Sequence, residues 1–473
     1  MKINPYIFRG YDLRGEVDKD LTPGIVEHLG KIFGTMLKRR GIKNAVISRD
    51  SRTTSLEYSQ AMIRGLNFAG IDTINIGMEL IGAFYWSQYF LNCKGGVYVS
   101  ASHNPVQYNG FKFAIDFSET LATEDMRALK EMAGKDDFKK AAIPGKNEEK
   151  NVREEYFNDL AKRIKFKKQF KIVIDPSNST AGAIVPDLLR KFGCEIIEKN
   201  CNLDSSFPLG APDPTDSKVA GRLSKEVLEE KADIGFSFDP DGDRLGIVDE
   251  KGNIIWNDIL VAVFAMAILE KHPGAVIMYN ILCSKAVEEI IIKYGGKPFM
   301  WRVGHSFLKN KNQEVKAAFI GELSGHFFFS ADFYNHEDGI YSMLSLLDYL
   351  SKTGKSLSEI ISPIPRYISS PEIKVGCPDE LKVGLMGKIG AKLRQDFPNV
   401  KIIDDERAGD GARFETDNSM FVVRYSQNGP YLTIKFEAKE QKEYDELKKY
   451  ISELLHSYKE IDWGFGVNIE SLD

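Results

Sequence analysis

The stretch FKIVIDPSNSTAGAIVPDLLRKFGCEIIE, residues 170–198, contains a complete pattern of strand, helix and strand. An apolar run of strand length leads through a loop rich in serine and asparagine into apolar residues at helical spacing. A glycine ends this helical pattern, and a second apolar run follows. This order is typical of a βαβ unit, so the segment predicts a domain in which helices pack on a sheet.

The same order of elements occurs twice more. Residues 45–77 run from AVISRD through a helical pattern to DTINIG, and residues 275–301 run from AVIMYN through another to KPFMW. Three such units, well separated along the chain, favour three α/β domains built alike.

The last part of the chain has a different pattern. Residues 362–373, SPIPRYISSPEI, suit a linker because they are rich in proline and serine. Two apolar runs then flank SQNGP as a hairpin, and a charged helix follows, which predicts a smaller α+β domain. The predicted domain boundaries are 1–148, 149–252, 253–366 and 367–473.

Composition argues against nucleic-acid-binding, membrane and disulfide-rich classes of protein. A chain of 473 residues with a net charge of -5 has no basic excess, which argues against nucleic acid as a partner. No apolar run approaches the roughly 20 residues of a membrane span, and the start of the chain does not resemble a signal peptide, so we expect a cytoplasmic protein without a membrane partner. The five cysteines are scattered, which argues against a disulfide framework or a CxxC metal site.

A serine follows a short strand in YVSASHNPVQYNGFKF, residues 98–113. Ser102 lies just beyond the predicted strand end, where α/β domains usually place their chemistry. The GxSxG pattern of a hydrolase nucleophile is absent, and the sequence alone does not assign His103 as a base. The alternative is an ordinary serine in a turn, so a functional Ser102 requires an activating partner elsewhere.

Three aspartates that alternate in IGFSFDPDGDRLGIVDEKGNII, residues 234–255, supply a candidate partner. Asp239, Asp241 and Asp243 are hard oxygen ligands that suit Mg²⁺. A calcium loop is rejected, because Arg244 stands where that motif requires glycine. An acidic solvent-facing turn is the simpler alternative. A metal, three carboxylates, an arginine and a serine together indicate phosphoryl transfer through a phosphoserine.

Five motifs in order along the chain carry a family resemblance. They are IFRGYDLRG at 7–15, SASHNP at 100–105, DPDGDR at 239–244, GELSGH at 321–326 and RYSQNGP at 424–430. The chain resembles the α-D-phosphohexomutase superfamily, which contains phosphoglucomutases, phosphomannomutases and phosphoglucosamine mutases, and is most similar to the bacterial phosphomannomutase/phosphoglucomutase group.

The resemblance implies a fold and a cofactor. The expected architecture is three similar mixed-sheet α/β domains plus a C-terminal α+β domain, similar to the TATA-box-binding protein, around a central cleft. Ser102 would carry the phosphate and, through it, join Asp239, Asp241 and Asp243 as a ligand of Mg²⁺. A hexose 1,6-bisphosphate would be the intermediate and activator.

The resemblance also assigns roles to other side chains. Glu322 and Ser324 would hold sugar hydroxyls, while Lys112 and His326 would transfer protons and Arg14 would stabilise charge. Which residue is the general acid and which the general base stays open. The remaining substrate contacts would come from Tyr11, Arg244 and His305, and the grip on the non-reacting phosphate from Arg424, Ser426, Gln427 and Asn428.

The chain departs from the family pattern at three places. RYSQNGP lacks the Thr-Glu pair of the longer RPSGTEP loop, and Leu282 replaces a lysine found in some dual-specificity members. Leu323 makes the sugar loop more similar to the GEMSGH of mannose and glucose mutases than to the GEQSGH of glucosamine mutases.

The expected activity is an intramolecular phosphotransferase. It would interconvert the 1- and 6-phosphates of mannose, glucose or both, acting on a small phosphosugar as a monomer or dimer. One alternative is a phosphoglucosamine mutase. Another is a phosphosugar phosphatase or a non-catalytic phosphosugar-binding protein.

Overall fold

The computed structural model describes residues 3–473, which form two compact units. Unit 1 comprises the chain as far as Pro214 together with the segments Arg222–Asn253 and Tyr334–Ser356. Unit 2 comprises the segments Thr215–Gly221, Ile254–Phe333 and Leu357–Asp473. The strands up to Asp249 therefore belong to unit 1 and all later strands to unit 2.

The first α/β domain is built on a mixed sheet. After a short 3₁₀ helix its elements are β1 (Leu13–Glu16), α1 (Pro23–Arg39), β2 (Asn44–Arg49), α2 (Ser55–Phe68), β3 (Asp72–Met78), α3 (Ile81–Phe90), β4 (Gly95–Val99), β5 (Tyr108–Asp116), β6 (Glu119–Thr120), α4 (Thr123–Gly134) and β7 (Asn147–Glu149). The strand order is β1-β5-β4-β2-β3-β7, with β6 beside β5. Strands β4, β2, β3 and β7 are parallel, whereas β5 runs antiparallel to β4 and to β1.

Helices α1 and α2 pack together through glycines. A Cβ atom at Gly65 would lie 2.2 Å from the carbonyl oxygen of Glu27 and 2.8 Å from the Cα atom of Gly30. The side chain of Thr22 caps α1 by accepting from the Ile25 amide, and Pro23 occupies the first turn, where its missing N–H costs nothing. These two helices cover the apolar core of the domain.

The second α/β domain contains the segment quoted first. Its elements are α5 (Arg153–Arg163), β8 (Lys171–Ile174), α6 (Val185–Lys191), β9 (Glu195–Glu198), α7 (Ser217–Glu230), β10 (Ile234–Phe238) and β11 (Leu245–Asp249). Strands β8 and β9 are parallel, with Ile172 opposite Ile196, so the predicted βαβ unit is confirmed. Within unit 1 the sheet has the order β11-β10-β8-β9, and β11 runs antiparallel to β10.

The third segment repeats this arrangement. Its elements are β12 (Ile254–Ile255), α8 (Asn257–Lys271), β13 (Val276–Asn280), α9 (Lys285–Lys293), β14 (Lys297–Trp301), α10 (His305–Val315), β15 (Phe319–Gly321), β16 (Phe327–Phe328) and α11 (Gly339–Thr353). The strand order is β14-β13-β15-β16, and only β16 is antiparallel to its neighbour. Helix α11 belongs to unit 1, although the sheet before it belongs to unit 2.

The C-terminal domain has an antiparallel sheet. Its elements are α12 (Leu357–Ile361), β17 (Ile368–Ser369), β18 (Ile373–Gly376), α13 (Asp379–Asp396), β19 (Lys401–Ile403), β20 (Gly411–Glu415), β21 (Ser419–Tyr425), β22 (Tyr431–Ala438), α14 (Gln441–His456) and β23 (Asp462–Val467). The strand order is β19-β20-β21-β22-β18-β23, with β17 beside β22. The predicted hairpin is β21 and β22, and the predicted charged helix is α14.

The three α/β sheets share one feature that positions the candidate functional residues. In each, the last strand of the parallel set turns back into an antiparallel strand, as β4 does into β5, β10 into β11 and β15 into β16. The connecting loops carry Ser102, the three aspartates and Glu322. The predicted fold class, three mixed-sheet α/β domains and a fourth sheet domain, is confirmed.

Two further observations concern the chain as a whole. Among the helices of residues 3–473, none combines the length and the apolarity that crossing a membrane requires. The five cysteines carry free thiols.

Candidate active site

The loop between β4 and β5 holds Ser102 in a left-handed backbone conformation. Its φ is 51°, a region that residues other than glycine seldom adopt. The Ser102 amide donates to Ser100 Oγ at 2.8 Å, and the Asn104 amide donates to the carbonyl oxygen of Ala101 at 3.1 Å. These bonds stabilise the strained turn, which is typical of a residue held for function.

The Ser102 hydroxyl contacts the acidic loop after β10. Its Oγ donates a hydrogen bond to Asp239 Oδ2 at 2.7 Å and lies 3.1 Å from His103 Nδ1. Both Ser102 and Asp239 are buried. The structure therefore brings together the serine and the aspartate that the sequence separates by 137 residues.

The three aspartates form a compact cluster. One carboxylate oxygen from each of Asp239, Asp241 and Asp243 lies within 4.8 Å of the others, and all three side chains are buried. Asp239 Oδ1 accepts from the amides of Gly242 and Arg244, each at 3.1 Å. Burial, followed by the charges of Asp241 and Asp243, raises the pKa of Asp239 well above its ordinary value.

Lys112 lies inside this cluster. Its Nζ is 2.9 Å from Asp241 Oδ2 and 2.5 Å from Asp243 Oδ2. Burial lowers the pKa of the Lys112 ammonium, but Asp241 and Asp243 outweigh burial and raise that pKa above its ordinary value. Lys112 is therefore held protonated beside the predicted metal ligands.

The cluster fits a divalent cation. Three buried carboxylates offer hard oxygen donors, and Asp241 Oδ1 accepts no hydrogen bond within residues 3–473. Three negative charges this close repel one another unless a cation lies between them, and one ammonium does not neutralise all three. Oxygen donors of this kind are consistent with Mg²⁺.

Of the other predicted residues of unit 1, Arg14 holds the Ser102 loop. Arg14 Nε donates to Asp12 Oδ2 at 2.9 Å, and Arg14 Nη1 donates to the Ala101 carbonyl at 3.0 Å and to Asn104 Oδ1 at 2.8 Å. Tyr11, three residues before Arg14 in the sequence, is buried. Arg244 Nη1 lies 3.7 Å from Asp213 Oδ1. Arg14 thus contacts the Ser102 loop directly.

Arg52 is a residue of this site that the sequence analysis missed. Its guanidinium donates to four backbone carbonyls of the Ser102 loop, those of Ser102 (2.6 Å), Asn104 (2.5 Å), Pro105 (3.0 Å) and Tyr108 (3.0 Å). Its Nε lies 3.4 Å from Asp50 Oδ2. A signal existed, because Arg52 follows β2, a parallel neighbour of β4, so both chains leave the sheet at one edge.

In unit 2, the loop after β15 presents Glu322. Glu322 Oε1 accepts from Asn280 Nδ2 at 3.1 Å and from the Gly304 amide at 3.0 Å, while Oε2 lies 3.1 Å from His326 Nδ1. Burial raises the pKa of Glu322, but the hydrogen bond with His326 and the other donors lower it below its ordinary value. A charged carboxylate at this place can accept from two sugar hydroxyls.

The predicted neighbours of Glu322 lie beside it. His326 Nδ1 is 2.9 Å from Ser324 Oγ, and the rings of His305 and His326 are 5.7 Å apart between centroids. All three side chains are buried. Unit 2 therefore gathers two imidazoles, a hydroxyl and a carboxylate at one sheet edge.

The loop between β21 and β22 is a tight turn rich in donors. Ser426 Oγ accepts from the amides of Asn428 and Gly429, each at 3.2 Å. Gln427 and Asn428 are half-buried at its tip. Arg424, at the end of β21, donates from Nε and Nη2 to the two carboxylate oxygens of Asp410 at 2.8 and 2.5 Å.

Asp410 and Asn280 are further residues that sequence reasoning missed. Asp410 orients the Arg424 guanidinium. Burial lowers the pKa of Arg424, but the charge of Asp410 outweighs burial and raises that pKa above its ordinary value. Asn280 ends β13 and holds Glu322. Both lie at strand ends, but neither residue type in isolation indicates which side chain it supports.

Comparisons with known proteins agree with this geometry. Family models described as phosphoglucomutase/phosphomannomutase alpha/beta/alpha domains I, II and III match residues 5–140, 154–252 and 256–367. A phosphomannomutase/phosphoglucomutase of Pseudomonas aeruginosa is 34% identical over 442 residues, which cover 93% of this chain and 94% of the relative.

The chain belongs to the phosphoglucomutase/phosphomannomutase family.

Other members support this assignment. A phosphoglucomutase of Neisseria meningitidis serogroup A is 32% identical over 97% of this chain and 98% of its own. The crystal structure of a phosphoglucomutase/phosphomannomutase family protein from Burkholderia thailandensis superposes with a TM-score of 0.87 at 29% identity, covering 96% of this chain and 98% of that one. The protein is therefore an enzyme of this family, a phosphohexomutase.

Proposed function

We propose that this phosphohexomutase interconverts the 1- and 6-phosphates of mannose and of glucose through a phosphate carried on Ser102. The observation that carries the proposal is the hydrogen bond from Ser102 Oγ to Asp239, inside the three-aspartate cluster. The name of the Pseudomonas aeruginosa relative covers both sugars, which supports dual specificity. Leu323 in the sugar loop favours the same choice.

The metal ligands in this proposal are Asp239, Asp241 and Asp243, with a phosphate oxygen on Ser102. Mg²⁺ bound there supplies positive charge that stabilises the charge on the phosphoryl group during transfer. Asp239 already orients Ser102, and the left-handed backbone of Ser102 keeps its side chain directed at the cluster.

The transfer exchanges one bond to phosphorus for another. The bond between phosphorus and Ser102 Oγ breaks as a bond forms between phosphorus and a free sugar hydroxyl. The hydroxyl proton passes to a base, and the product is a hexose 1,6-bisphosphate. When this bisphosphate turns over, its other phosphate returns to Ser102 by the reverse steps, which yields the isomeric monophosphate.

Two residues are proposed to transfer the protons, Lys112 and His326. Lys112 Nζ, a charged ammonium beside Asp241 and Asp243, is proposed to donate a proton to the leaving Ser102 oxygen. His326, linked to Ser324 and Glu322, suits acceptance of a proton from a sugar hydroxyl. Arg14, bonded to the Ser102 loop, would stabilise negative charge there.

Unit 2 is proposed to recognise the sugar and its second phosphate. Glu322 and Ser324 offer hydroxyl contacts, and His305 lies next to them. Arg424, Ser426, Gln427 and Asn428 would hold the phosphate that is not transferred. Because Asp410 occupies two nitrogens of Arg424, the phosphate contacts its remaining N–H groups. In unit 1, Tyr11 and Arg244 are proposed to contact the substrate.

Replacing the serine tests the proposal. We expect Ser102→Ala to lower turnover of mannose 1-phosphate and glucose 1-phosphate roughly 10³-fold or more, because a covalent carrier has no substitute. Intact mass should show a fraction of wild-type chains with one phosphate, mapped to residues 95–112, and none in the variant. Ser362→Ala, a change at an exposed serine, is the matched control and should be fully active.

Three outcomes would contradict the proposal. Retained activity in Ser102→Ala would exclude a phosphoserine carrier. Release of free phosphate without isomer formation would indicate a phosphatase. Preferential turnover of glucosamine 6-phosphate would indicate a phosphoglucosamine mutase instead.

A further inference from the structure

Arg302 lies at the sheet edge that carries the sugar loop. Strands β13 and β14 are parallel, with Asn280 opposite Trp301, and β13 also pairs in parallel with β15, with Tyr279 opposite Gly321. The residues that follow these strand ends therefore share one edge of the sheet. Arg302 follows β14, and two residues later the amide of Gly304 donates to Glu322 at 3.0 Å.

The Arg302 guanidinium also approaches the C-terminal domain. A Cβ atom at Gly409 would lie 2.7 Å from Arg302 Nε and 2.8 Å from its Cζ, so the guanidinium fills space that only glycine leaves open. Gly409 has a φ of 68° and directly precedes Asp410, the partner of Arg424. The Arg302 Cζ atom lies over the ring of Phe307, 4.2 Å from the ring centroid.

Arg302 differs in its charge environment from three other arginines of unit 2. Arg413 donates to Glu415 at 2.7 Å, Arg424 binds Asp410, and Arg407 binds Asp405. Within residues 3–473 Arg302 forms no ion pair, and its Nε is buried without a hydrogen-bond partner. A half-buried cation held in place by packing and left without a carboxylate is what an anion-binding position requires.

The neighbouring loops limit which other residue could supply this charge. The loop after β13 offers Leu282, which is buried and uncharged. Two nitrogens of Arg424 donate to Asp410. Only the remaining N–H groups of Arg424 are therefore available to a ligand. A phosphate dianion needs more than one such donor group.

We propose that Arg302 binds the phosphate of the hexose phosphate that is not being transferred, together with Arg424 and the Ser426 loop. The inference rests on the proposed function, because it assigns a further residue to the substrate contacts of that reaction. The guanidinium presents Nη1 and Nη2, stacked on Phe307, to the phosphate oxygens. Its contact is the same before and after the chemical step, so it contributes to substrate binding rather than to the rate of transfer.

Kinetics of two variants test this assignment. Arg302→Met, which keeps the length and removes the charge, should raise KM for mannose 1-phosphate about 10- to 100-fold, as expected for a lost charge-assisted hydrogen bond. The kcat should stay within about threefold. Arg302→Lys should recover part of the loss, because it restores the charge without the planar fork. Arg394→Met is the matched control, since Arg394 is exposed and paired with Asp404; its KM should not change.

A binding measurement separates failure of this inference from failure of the proposed function. Calorimetric titration with inorganic phosphate, in the presence of EDTA to remove metal, should give a dissociation constant for Arg302→Met raised by a similar factor. If phosphate binding is weaker in Arg302→Met than in wild type but wild-type protein converts no hexose phosphate, the proposed function fails while Arg302 is still shown to bind phosphate. If phosphate binding and KM of folded Arg302→Met stay within twofold of wild type, the Arg302 assignment is wrong. If that variant does not fold, Arg302→Gln takes its place in both measurements.

Discussion

At the residue scale, Arg52 controls the shape of the Ser102 loop, because its guanidinium donates to four backbone carbonyls there. A lysine keeps the charge but cannot reach all four oxygens. We predict that Arg52→Lys lowers kcat about 10- to 100-fold, since a small displacement of a reacting group has an effect of this size. KM should change less, because Arg52 contacts the Ser102 loop and not the substrate. Steady-state kinetics with mannose 1-phosphate measure both constants.

The matched control for Arg52 is Arg64→Lys on α2. Arg64 pairs with Glu27 at 3.0 Å and is exposed, so its replacement should leave kcat unchanged. Wild-type turnover in Arg52→Lys would show that the four carbonyl bonds do not set the position of Ser102. A rise in KM with normal kcat would instead assign Arg52 to substrate binding.

Single residues were predictable from sequence where the residue type itself carries the chemistry. Ser102 and the three aspartates stand in short motifs at strand ends, and their side-chain atoms do the proposed work. Arg52 and Asp410 were missed for a physical reason. Arg52 binds backbone carbonyls, which every sequence offers, and Asp410 matters only through the arginine that it orients. Arg302 was likewise invisible, because its position beside Gly409 and its buried Nε without a hydrogen-bond partner in the described chain arise only on folding.

At the element scale, the contact between α1 and α2 depends on Gly65. The missing side chain lets the helices approach until a Cβ atom there would lie 2.2 Å from a backbone oxygen of α1. We predict that Gly65→Ala forces the helices apart and destabilises the first domain by about 1–3 kcal/mol, the usual range for an overpacked core. Differential scanning calorimetry should show this as a lower Tm.

A second glycine provides the control for that experiment. Gly384 lies inside α13, and within residues 3–473 no heavy atom other than those of its chain neighbours and of its own helix backbone lies within 4 Å of the place that a Cβ atom would occupy, so alanine fits there without a clash. Gly384→Ala should therefore raise stability by roughly 0.5–1 kcal/mol through helix propensity alone. Equal Tm values for Gly65→Ala and wild type would mean that the helices separate at no cost, contrary to the packing argument.

The elements themselves followed from hydrophobic periodicity, since each βαβ unit lies where its pattern predicts. The resemblance implied mixed sheets, but hydrophobic periodicity did not predict which strands run antiparallel, namely the returns β5, β11 and β16. A strand's direction depends on which neighbour it pairs with, and apolar alternation is the same for both directions. These returns matter, because they make the turns that carry Ser102, Asp239 and Glu322.

At the scale of the whole molecule, the chain passes between the two compact units five times, after residues 214, 221, 253, 333 and 356. Sequence patterns did not predict this division, because they record local elements and not long-range packing. Helix α11 is an example of such long-range packing, since it follows the third sheet in sequence and yet belongs to unit 1. No single cut of the chain separates the units, so their roles must be tested in the full-length protein.

Hydrogen exchange of the full-length protein can test whether unit 1 binds the metal and unit 2 binds the sugar phosphate. Ser102→Ala is expected to prevent turnover, so ligands can be added one at a time. We predict that Mg²⁺ slows amide exchange in residues 98–108 and 238–244, because a cation relieves repulsion among the buried aspartates. Mannose 6-phosphate added with EDTA should slow exchange in residues 321–326 and 424–430, where Glu322 and the Ser426 turn lie. Peptides from α14 serve as the internal control and should not change. Protection of 424–430 by Mg²⁺ alone, or its absence with the sugar phosphate, would contradict the assignment of phosphate recognition to unit 2.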